Sequence, residues 1–262
     1  MTFSLIDDLA VAQVLAAEAD LIAIDRYRAQ DLDVQFKPDR THVTDADTRV
    51  EQMVRAHLAD ARPGDAILGE EGGESGSSAR RWIVDPIDGT SNFVRGVPIW
   101  GALIALTIDG VPEVGVVSAP ALGLRWWAAT GHGAWRQEHG GEPRRIRVSG
   151  ISELAEATLV YNSLKGWDEA GRLDQLVAFS RAVGRTRAFG DLWSYMLLAE
   201  GAVDVVGEFD LKPWDIAALV PIIREAGGTV TDADGADTFD TGSVLASNGL
   251  LHADAVRLTA LA

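Results

Sequence analysis

The 262-residue sequence contains no cysteine. Disulfides, a thiol nucleophile and thiolate metal sites are therefore excluded, and any metal must be held by carboxylate, histidine or carbonyl groups. No apolar run approaches the roughly 20 residues needed to span a bilayer, and the N-terminus lacks the basic, apolar and small-residue blocks of a secretory signal. The expectation is a soluble, cytoplasmic protein with no membrane partner. Basic residues are also scarce: 23 Lys and Arg stand against 39 Asp and Glu, a formal net charge of −16. With no basic run to offset it, that balance argues against nucleic acid as a partner. It does not argue against a phosphorylated substrate, because carboxylates around a pocket hold divalent cations that supply the positive field a phosphate needs. The five histidines (His42, His57, His132, His139, His252) show no metal-ligand spacing, and none is assigned to catalysis. The tryptophans read as packing residues, with Trp126 and Trp127 on opposite faces of a strand.

What is present is enough apolar residue, 47% of the chain, for one large domain or two closely joined subdomains. Helical spacing predicts a long amphipathic helix over Ser4 to Gln30 and a second over Thr44 to Ala61. Between about Ala66 and Val148, short β-rich runs alternate with Gly/Pro turns: Ile67-Leu68, Trp82–Val84, Trp100–Ile108, Val114–Ser118 and Arg125–Ala128. They predict a multistranded, largely antiparallel sheet. The Gly/Ser-rich stretch from Gly72 to Ala79 reads as a mobile surface loop. Beyond Val148 the pattern becomes strand and helix in alternation, with strands at Thr158–Tyr161 and Val203–Val206 and helices near Gly171–Ala182, Asp191–Glu200 and Trp214–Ala226. A soft boundary divides residues 1–147, helices and sheet carrying most candidate metal ligands, from an α/β half at 148–262.

The most specific feature is Trp82-Ile83-Val84-Asp85-Pro86-Ile87-Asp88-Gly89-Thr90-Ser91-Asn92-Phe93. Two carboxylates, a tight turn and a hydroxyl follow an apolar strand, with Pro86 fixing φ at the turn and Gly89 opening the backbone to a ligand. A helical turn beginning there would aim the N–H groups of Gly89 and Thr90 at an anion. Asp-Pro and Asp-Gly are also ordinary turn dipeptides, but the six-residue string Asp85 to Thr90 is too specific for that reading alone.

Other acids carry two readings each. Leu68-Gly69-Glu70-Glu71-Gly72 is either a solvated charged turn or a pair of ligands at a strand end. Thr44 with Asp47 fits a helix-capping arrangement, and Asp215 in Trp214-Asp215 opens a helix where the dipole favours an acid. Taken together they supply oxygen ligands converging from separate elements. Two unit negative charges about 4 Å apart repel by roughly 4 kcal/mol at an effective dielectric near 20, so such a cluster calls for cations. Mg²⁺ is the natural candidate and Mn²⁺ a substitute.

The spaced set Lys37, Val43-Thr44-x-x-Asp47, Gly69-Glu70-Glu71, Asp85-Pro86-Ile87-Asp88-Gly89-Thr90 and Trp214-Asp215 resembles the inositol monophosphatase superfamily. Gly131-x-Gly133-Ala134, Glu225-Ala226-Gly227-Gly228 and Ala246-Ser247-Asn248 extend the likeness over nearly the whole chain. The resemblance implies an α/β fold, a layered α-β-α-β-α sandwich of the inositol monophosphatase/fructose bisphosphatase type. It also implies a homodimer, with the site between the two halves of each chain. Glu70, Asp85 and the backbone carbonyl of Ile87 would hold one Mg²⁺, and Asp85, Asp88 and Asp215 a second. Glu70 would touch a third, weaker ion through its other oxygen. In the catalytic set Asp47, Glu70 and Thr90, Thr90 would position the attacking water and help deprotonate it, while Ile87, Gly89, Thr90 and Asp215 would line the phosphate. No covalent phosphoenzyme is needed for such a phosphomonoester hydrolase.

The resemblance also implies that Arg187, Gly190, Asp191 and Glu208 lie on the side of the leaving alcohol, although surface ion pairing would also explain such residues. Asp191 stands where many inositol phosphatases carry a small hydroxyl residue. With Asn92–Pro98, Ser118–Ala121 and Arg125–Ala129, Asp191 makes the chain similar to the histidinol-phosphate phosphatases of this superfamily, whose small phosphorylated metabolite carries an ammonium and an imidazole. Inositol 1-phosphate is the alternative substrate. A regulatory binding module of the same fold is the alternative of a different class.

Overall fold

The computed structural model describes residues 3–38 and 41–261, so residues 1–2 and 262 at the ends of the two expected halves lie outside it. The chain opens with α1 (Leu5–Arg26), whose Ser4 side chain and Asp7 close a reciprocal N-terminal cap. The helix ends short of Gln30 because Tyr27 turns to an extended conformation and Arg28 enters the left-handed region at φ 64°. Strands β1 (Val34–Phe36) and β2 (His42–Thr44) form an antiparallel pair leading into α2 (Asp45–Ala61).

The main sheet is built from β3 (Ala66–Gly69), β4 (Gly73–Ser75), β5 (Arg80–Asp88), β6 (Gly101–Ile108), β7 (Val111–Ala119), β8 (Leu124–Ala129), β9 (Ala134–Glu138) and β10 (Arg144–Arg145), with α3 (Thr90–Arg95) between β5 and β6. Its spatial order is β10-β9-β8-β7-β6-β5-β3-β4. Every pairing is antiparallel except β3 with β5.

The rest of the chain supplies β11 (Thr158–Val160), α4 (Leu164–Glu169), α5 (Leu173–Ala182), β12 (Arg185–Arg187), α6 (Asp191–Ala199), β13 (Val205–Phe209), α7 (Pro213–Ile216), α8 (Leu219–Glu225), β14 (Thr229–Thr231), β15 (Ser243–Ser247) and α9 (His252–Thr259). Its five strands lie in the order β12-β11-β13-β15-β14.

Alternating side chains of the two sheets define the layers, because successive strand residues point to opposite faces. Trp82, Val84, Ile104, Val116 and Trp127 pack with Leu15, Ala16 and Val54 of α1 and α2. Ile83, Leu103, Val117 and Trp126 pack on the other face with α6 and α8, which also meet Val160, Val206 and Ala246 of the second sheet. Leu159, Val205 and Leu245 turn the opposite way, toward Trp167, Phe179 and Ala255 of α4, α5 and α9. The result is the expected α-β-α-β-α sandwich, with Trp126 and Trp127 on opposite faces. One hydrophobic cluster runs across residue 147, joining both halves.

Three further expectations change. The Pro86 segment is not the turn: β5 continues through it to Asp88, and one extra residue bulges out where Asp85 pairs Leu103 and Asp88 pairs Gly101. Proline tolerates such a site because the bulge needs no ladder N–H there. The reversal comes at Gly89, at φ 80°, where an added Cβ would sit 3.0 Å from the carbonyl of Ile99. The Gly72–Ala79 stretch is partly a strand, since Gly73 and Ser75 pair with Gly69 and Ile67. The helix over Trp214–Ala226 is two helices, because Pro221 has no N–H to offer the carbonyl four residues back, at Ala217. Among the described residues no helix is long and apolar enough to cross a membrane.

Candidate active site

The bulge in β5 places Asp85 and Asp88 side by side although they are three residues apart. Asp85 is 2% exposed, and its Oδ1 accepts from the N–H of Ile87 at 2.9 Å, fixing the bulge from within. Asp88 is pinned from the far half of the chain, its Oδ2 accepting from the N–H of Leu192 at the start of α6 at 2.6 Å. Asp215 arrives on α7, its Oδ2 capping the helix by accepting from the N–H of Lys212 at 2.7 Å. Gly115 on β7 lets the α7–α8 junction lie on the sheet: a Cβ there would come within 2.1 Å of the carbonyl oxygen of Ala218.

Carboxylate oxygens of Asp85, Asp88 and Asp215 lie within 4.8 Å of one another. At that separation each pair of unit charges repels by roughly 3 kcal/mol at an effective dielectric near 20. Burial, then the charges of Glu70, Asp88 and Asp215, push the carboxyl of Asp85 well up. Burial, then Asp191 and Asp215, do the same to Asp88. Burial lifts Asp215 to about 7. No lysine or arginine forms an ion pair with these three among the described residues. An all-oxygen donor set, buried at Asp85 and half-buried at Asp88 and Asp215, with no cationic side chain paired to it, fits a hard divalent cation such as Mg²⁺ or Mn²⁺.

Glu70 and Glu71 lie beyond β3, where Lys37 reaches Glu70 Oε1 at 2.6 Å and Glu71 Oε1 at 2.7 Å. Burial opposes the Lys37 ammonium, yet its bonds to the two glutamates raise its pKa. Burial lifts Glu71 to about 7 in spite of Lys37. The turn itself hangs from Glu51 of α2, whose carboxylate accepts from the N–H groups of Glu71 and Gly72, both at 2.8 Å. Gly69 has to be glycine for this, because a Cβ would lie 2.3 Å from the Glu51 carboxylate. Glu51 is absent from the sequence-based candidates, having no motif around it.

Asp47 serves both readings of its position. Its Oδ2 accepts from the N–H of Thr44 at 2.8 Å and from the Thr44 hydroxyl at 2.6 Å, completing the cap of α2. Its Oδ1 lies 3.3 Å from Thr90 Oγ1, which also lies 2.9 Å from the carbonyl oxygen of Ile87. Burial lifts Asp47 to about 6, against the pull of its bonds to Thr44. Gly89 is the N-cap of α3 and Thr90 its first residue, so their N–H groups stand at a helix start beside the aspartates.

The leaving-group candidates divide. Asp191, in the left-handed region at φ 50°, has its Oδ2 2.6 Å from Asn92 Nδ2. The side chain of Asn92 thereby ties α3 to the start of α6, and burial lifts Asp191 to about 6. Burial lifts Glu208 to about 8. Its Oε2 accepts from the Tyr195 hydroxyl at 2.7 Å and from Asn162 Nδ2 at 2.5 Å. Gly190 donates its N–H to Asn162 Oδ1 at 3.3 Å. Arg187 is exposed on β12 and donates to the carbonyl of Thr186; among the described residues it makes no ion pair with the acidic cluster. Asn162 and Tyr195 escaped the sequence reading, and Asn92 entered it only as part of a longer string with no role of its own, because all three act on other side chains and carry no charge pattern.

With this geometry in hand, the comparisons with known proteins are direct. The model of the inositol monophosphatase family matches residues 6–261. A Streptomyces coelicolor protein named histidinol-phosphatase is 51% identical over 251 residues, covering 94% of each chain. A Mycobacterium tuberculosis protein of the same name is 53% identical over 247 residues, covering 94% of this chain and 95% of that one. Among solved structures, the Thermotoga maritima IMPase superposes with a TM-score of 0.84 at 31% identity, covering 97% of this chain and 96% of that one.

Proposed function

The chain belongs to the inositol monophosphatase family, and from that premise we propose that it hydrolyses L-histidinol phosphate to L-histidinol and phosphate in a Mg²⁺-dependent reaction. Phosphoric monoester hydrolysis is the common ground of the family and of the histidinol-phosphatases it resembles at 51% and 53% identity. The observation that carries the choice of alcohol is a second acidic pair, Asp191 and Glu208, within electrostatic reach of the Asp88 and Asp215 carboxylates. Two acids beyond those needed for metal suit an alcohol bearing an ammonium and an imidazole.

Glu70, Asp85, the carbonyl of Ile87, Asp88 and Asp215 would hold two to three Mg²⁺ ions, with Mn²⁺ as a substitute. When bound, such ions make water a stronger acid and stabilise charge on the attacking and departing oxygens. The protein's own part is positional and protonic. The Thr90 hydroxyl accepts a hydrogen bond from the attacking water and passes its own proton toward Asp47 Oδ1, which Thr44 leaves free. An Asp47 carboxyl lifted to about 6 remains mostly ionised at neutral pH and is a better proton acceptor than an ordinary aspartate. The N–H groups of Gly89 and Thr90 grip phosphate oxygens and keep phosphorus in line. Gly190 completes the alcohol side, Arg187 stands outside it on the exposed face of β12, and a homodimer is part of the same reading.

Phosphate release from L-histidinol phosphate, myo-inositol 1-phosphate and adenosine 3′,5′-bisphosphate tests this reading. The highest kcat/KM is expected for L-histidinol phosphate. Preference for inositol 1-phosphate would overturn the assigned alcohol, and no Mg²⁺-dependent hydrolysis of any of the three would favour a regulatory binding role.

A further inference from the structure

Glu208 sits at the cleft with two donors on one oxygen, and the arrangement behind it determines which oxygen faces the substrate. Both the Asn162 amide and the Tyr195 hydroxyl converge on Oε2. Oε1 has no hydrogen bond of its own among the described residues, and Glu208 is partly exposed. Tyr195 is buried, and burial followed by the nearby Glu208 charge pushes its hydroxyl pKa well up, so it stays a donor.

Asn162 is held just as firmly from behind. Its Oδ1 takes the N–H of Gly190 at 3.3 Å and lies against the Ser194 hydroxyl. A flipped amide would set NH₂ against the Gly190 N–H and a carbonyl against the carboxylate, so only one orientation satisfies every group. The residue follows β11 in the left-handed region at φ 49°, a conformation asparagine tolerates better than most side chains. It therefore links three elements: the end of β11, the Gly190 turn beside Asp191, and Glu208 on β13.

We infer that Asn162 is a positioning residue for substrate selection, locking Glu208 by Oε2 so that Oε1 is presented to a cationic group on the leaving alcohol. The inference rests on the histidinol phosphate reading above. A cationic group beside Glu208 offsets the burial that holds its carboxyl protonated and favours the carboxylate. A rotatable Glu208 would ionise in the same way, but it would lose the fixed direction in which an ammonium or imidazolium donor meets it. Asn162 touches neither phosphate nor metal ligands, so its effect belongs in binding of the alcohol.

The test is N162G, which removes the amide and leaves the left-handed backbone unstrained. Steady-state kinetics with L-histidinol phosphate and with p-nitrophenyl phosphate, and calorimetric binding of L-histidinol alone, are compared with wild type. The expected result is a rise in KM for L-histidinol phosphate of roughly 10- to 100-fold with little change in kcat, and a matching loss of L-histidinol affinity. The ratio of kcat/KM for the two esters should fall accordingly. Tyr195→Phe, which removes the other donor to Oε2 and keeps the ring, should move the same ratio in the same direction by less. If N162G lowers kcat/KM for both esters equally, or Y195F leaves the ratio unchanged, the positioning role is overturned. A wild-type enzyme that prefers inositol 1-phosphate would instead overturn the underlying substrate reading, so the two failures are distinguishable.

Discussion

The two walls of the cleft are built in opposite ways. The metal wall takes Asp85 and Asp88 from one strand, with Thr90 two residues on, and a single bulge and a single left-handed glycine set their spacing. The alcohol wall gathers Asp191 from a helix start and takes Glu208 from β13 and Asn162 from just beyond the neighbouring strand β11 of the second sheet, with side-chain hydrogen bonds setting how these groups face one another. Chemistry common to many phosphate esters resides where the backbone dictates geometry. On the function proposed above, discrimination among alcohols would reside where side chains position one another, and where a substitution can change preference without dismantling the reaction.

That contrast can be broken most directly at the metal wall. Asp88→Asn and Asp215→Asn should each lower kcat/KM by about 10³-fold or more, alike for every ester, since each removes a ligand charge worth several kcal/mol in the transition state. Mn²⁺ binding followed by electron paramagnetic resonance should weaken in parallel, and near-normal turnover with Mg²⁺ in either variant would refute the assignment. Thr90→Val should cost less, about 10²- to 10³-fold in kcat with KM little altered, because it removes a proton path and leaves the ligand set intact. An unchanged kcat would exclude that path.

At the alcohol wall the expected effects are smaller and selective. Asp191→Asn should raise KM for L-histidinol phosphate by roughly 10- to 50-fold and leave p-nitrophenyl phosphate comparatively untouched. An equal loss on both esters would erase the distinction between the walls.

The smallest effect concerns stability and joins both walls. Asp215 at about 7, Glu208 at about 8 and Glu71 at about 7 all lie above ordinary carboxylate values. Asp47 and Asp191, both at about 6, do too. A carboxyl raised by folding binds its proton more tightly in the folded state. Metal-free protein should thus lose stability as pH rises from about 4, where these carboxyls ionise in the unfolded chain, to about 8, where the last of them ionises in the fold. Thermal melting in EDTA should show a few degrees of decline over that window, and Mg²⁺ should remove most of it. A melting temperature that climbs steadily over the same window without metal would contradict the unscreened-carboxylate picture.

Much of the metal wall was legible because its residues are neighbours in sequence or close a local cap, as Thr44 and Asp47 do. The misreadings share a cause. Pro86 looks like a turn residue, yet β6 accommodates it as a bulge. Gly73 to Ser75 have the composition of a loop, but β3 offers them an edge to pair with. Pro221 sits inside a helical pattern and splits it, leaving Asp215 on a short helix of its own. The roles of Glu51, Asn92 and Asn162 carry no local signal, since the site groups they hold, at Glu71, Asp191 and Glu208, lie from 20 to 99 residues away.

By itself, the sequence determined the run of helices and strands, the oxygen-rich donor types and the family resemblance that implies the layered fold, because periodicity and a compact acidic motif are properties of short stretches. It also indicated a cationic alcohol through Asp191. Only the tertiary structure decided which oxygen of each acid is free. That outcome depends on donors from other elements, Leu192 on Asp88 and the Asn162–Tyr195 pair on Glu208. A hydrogen bond is a short-range, directional contact that chain spacing does not encode.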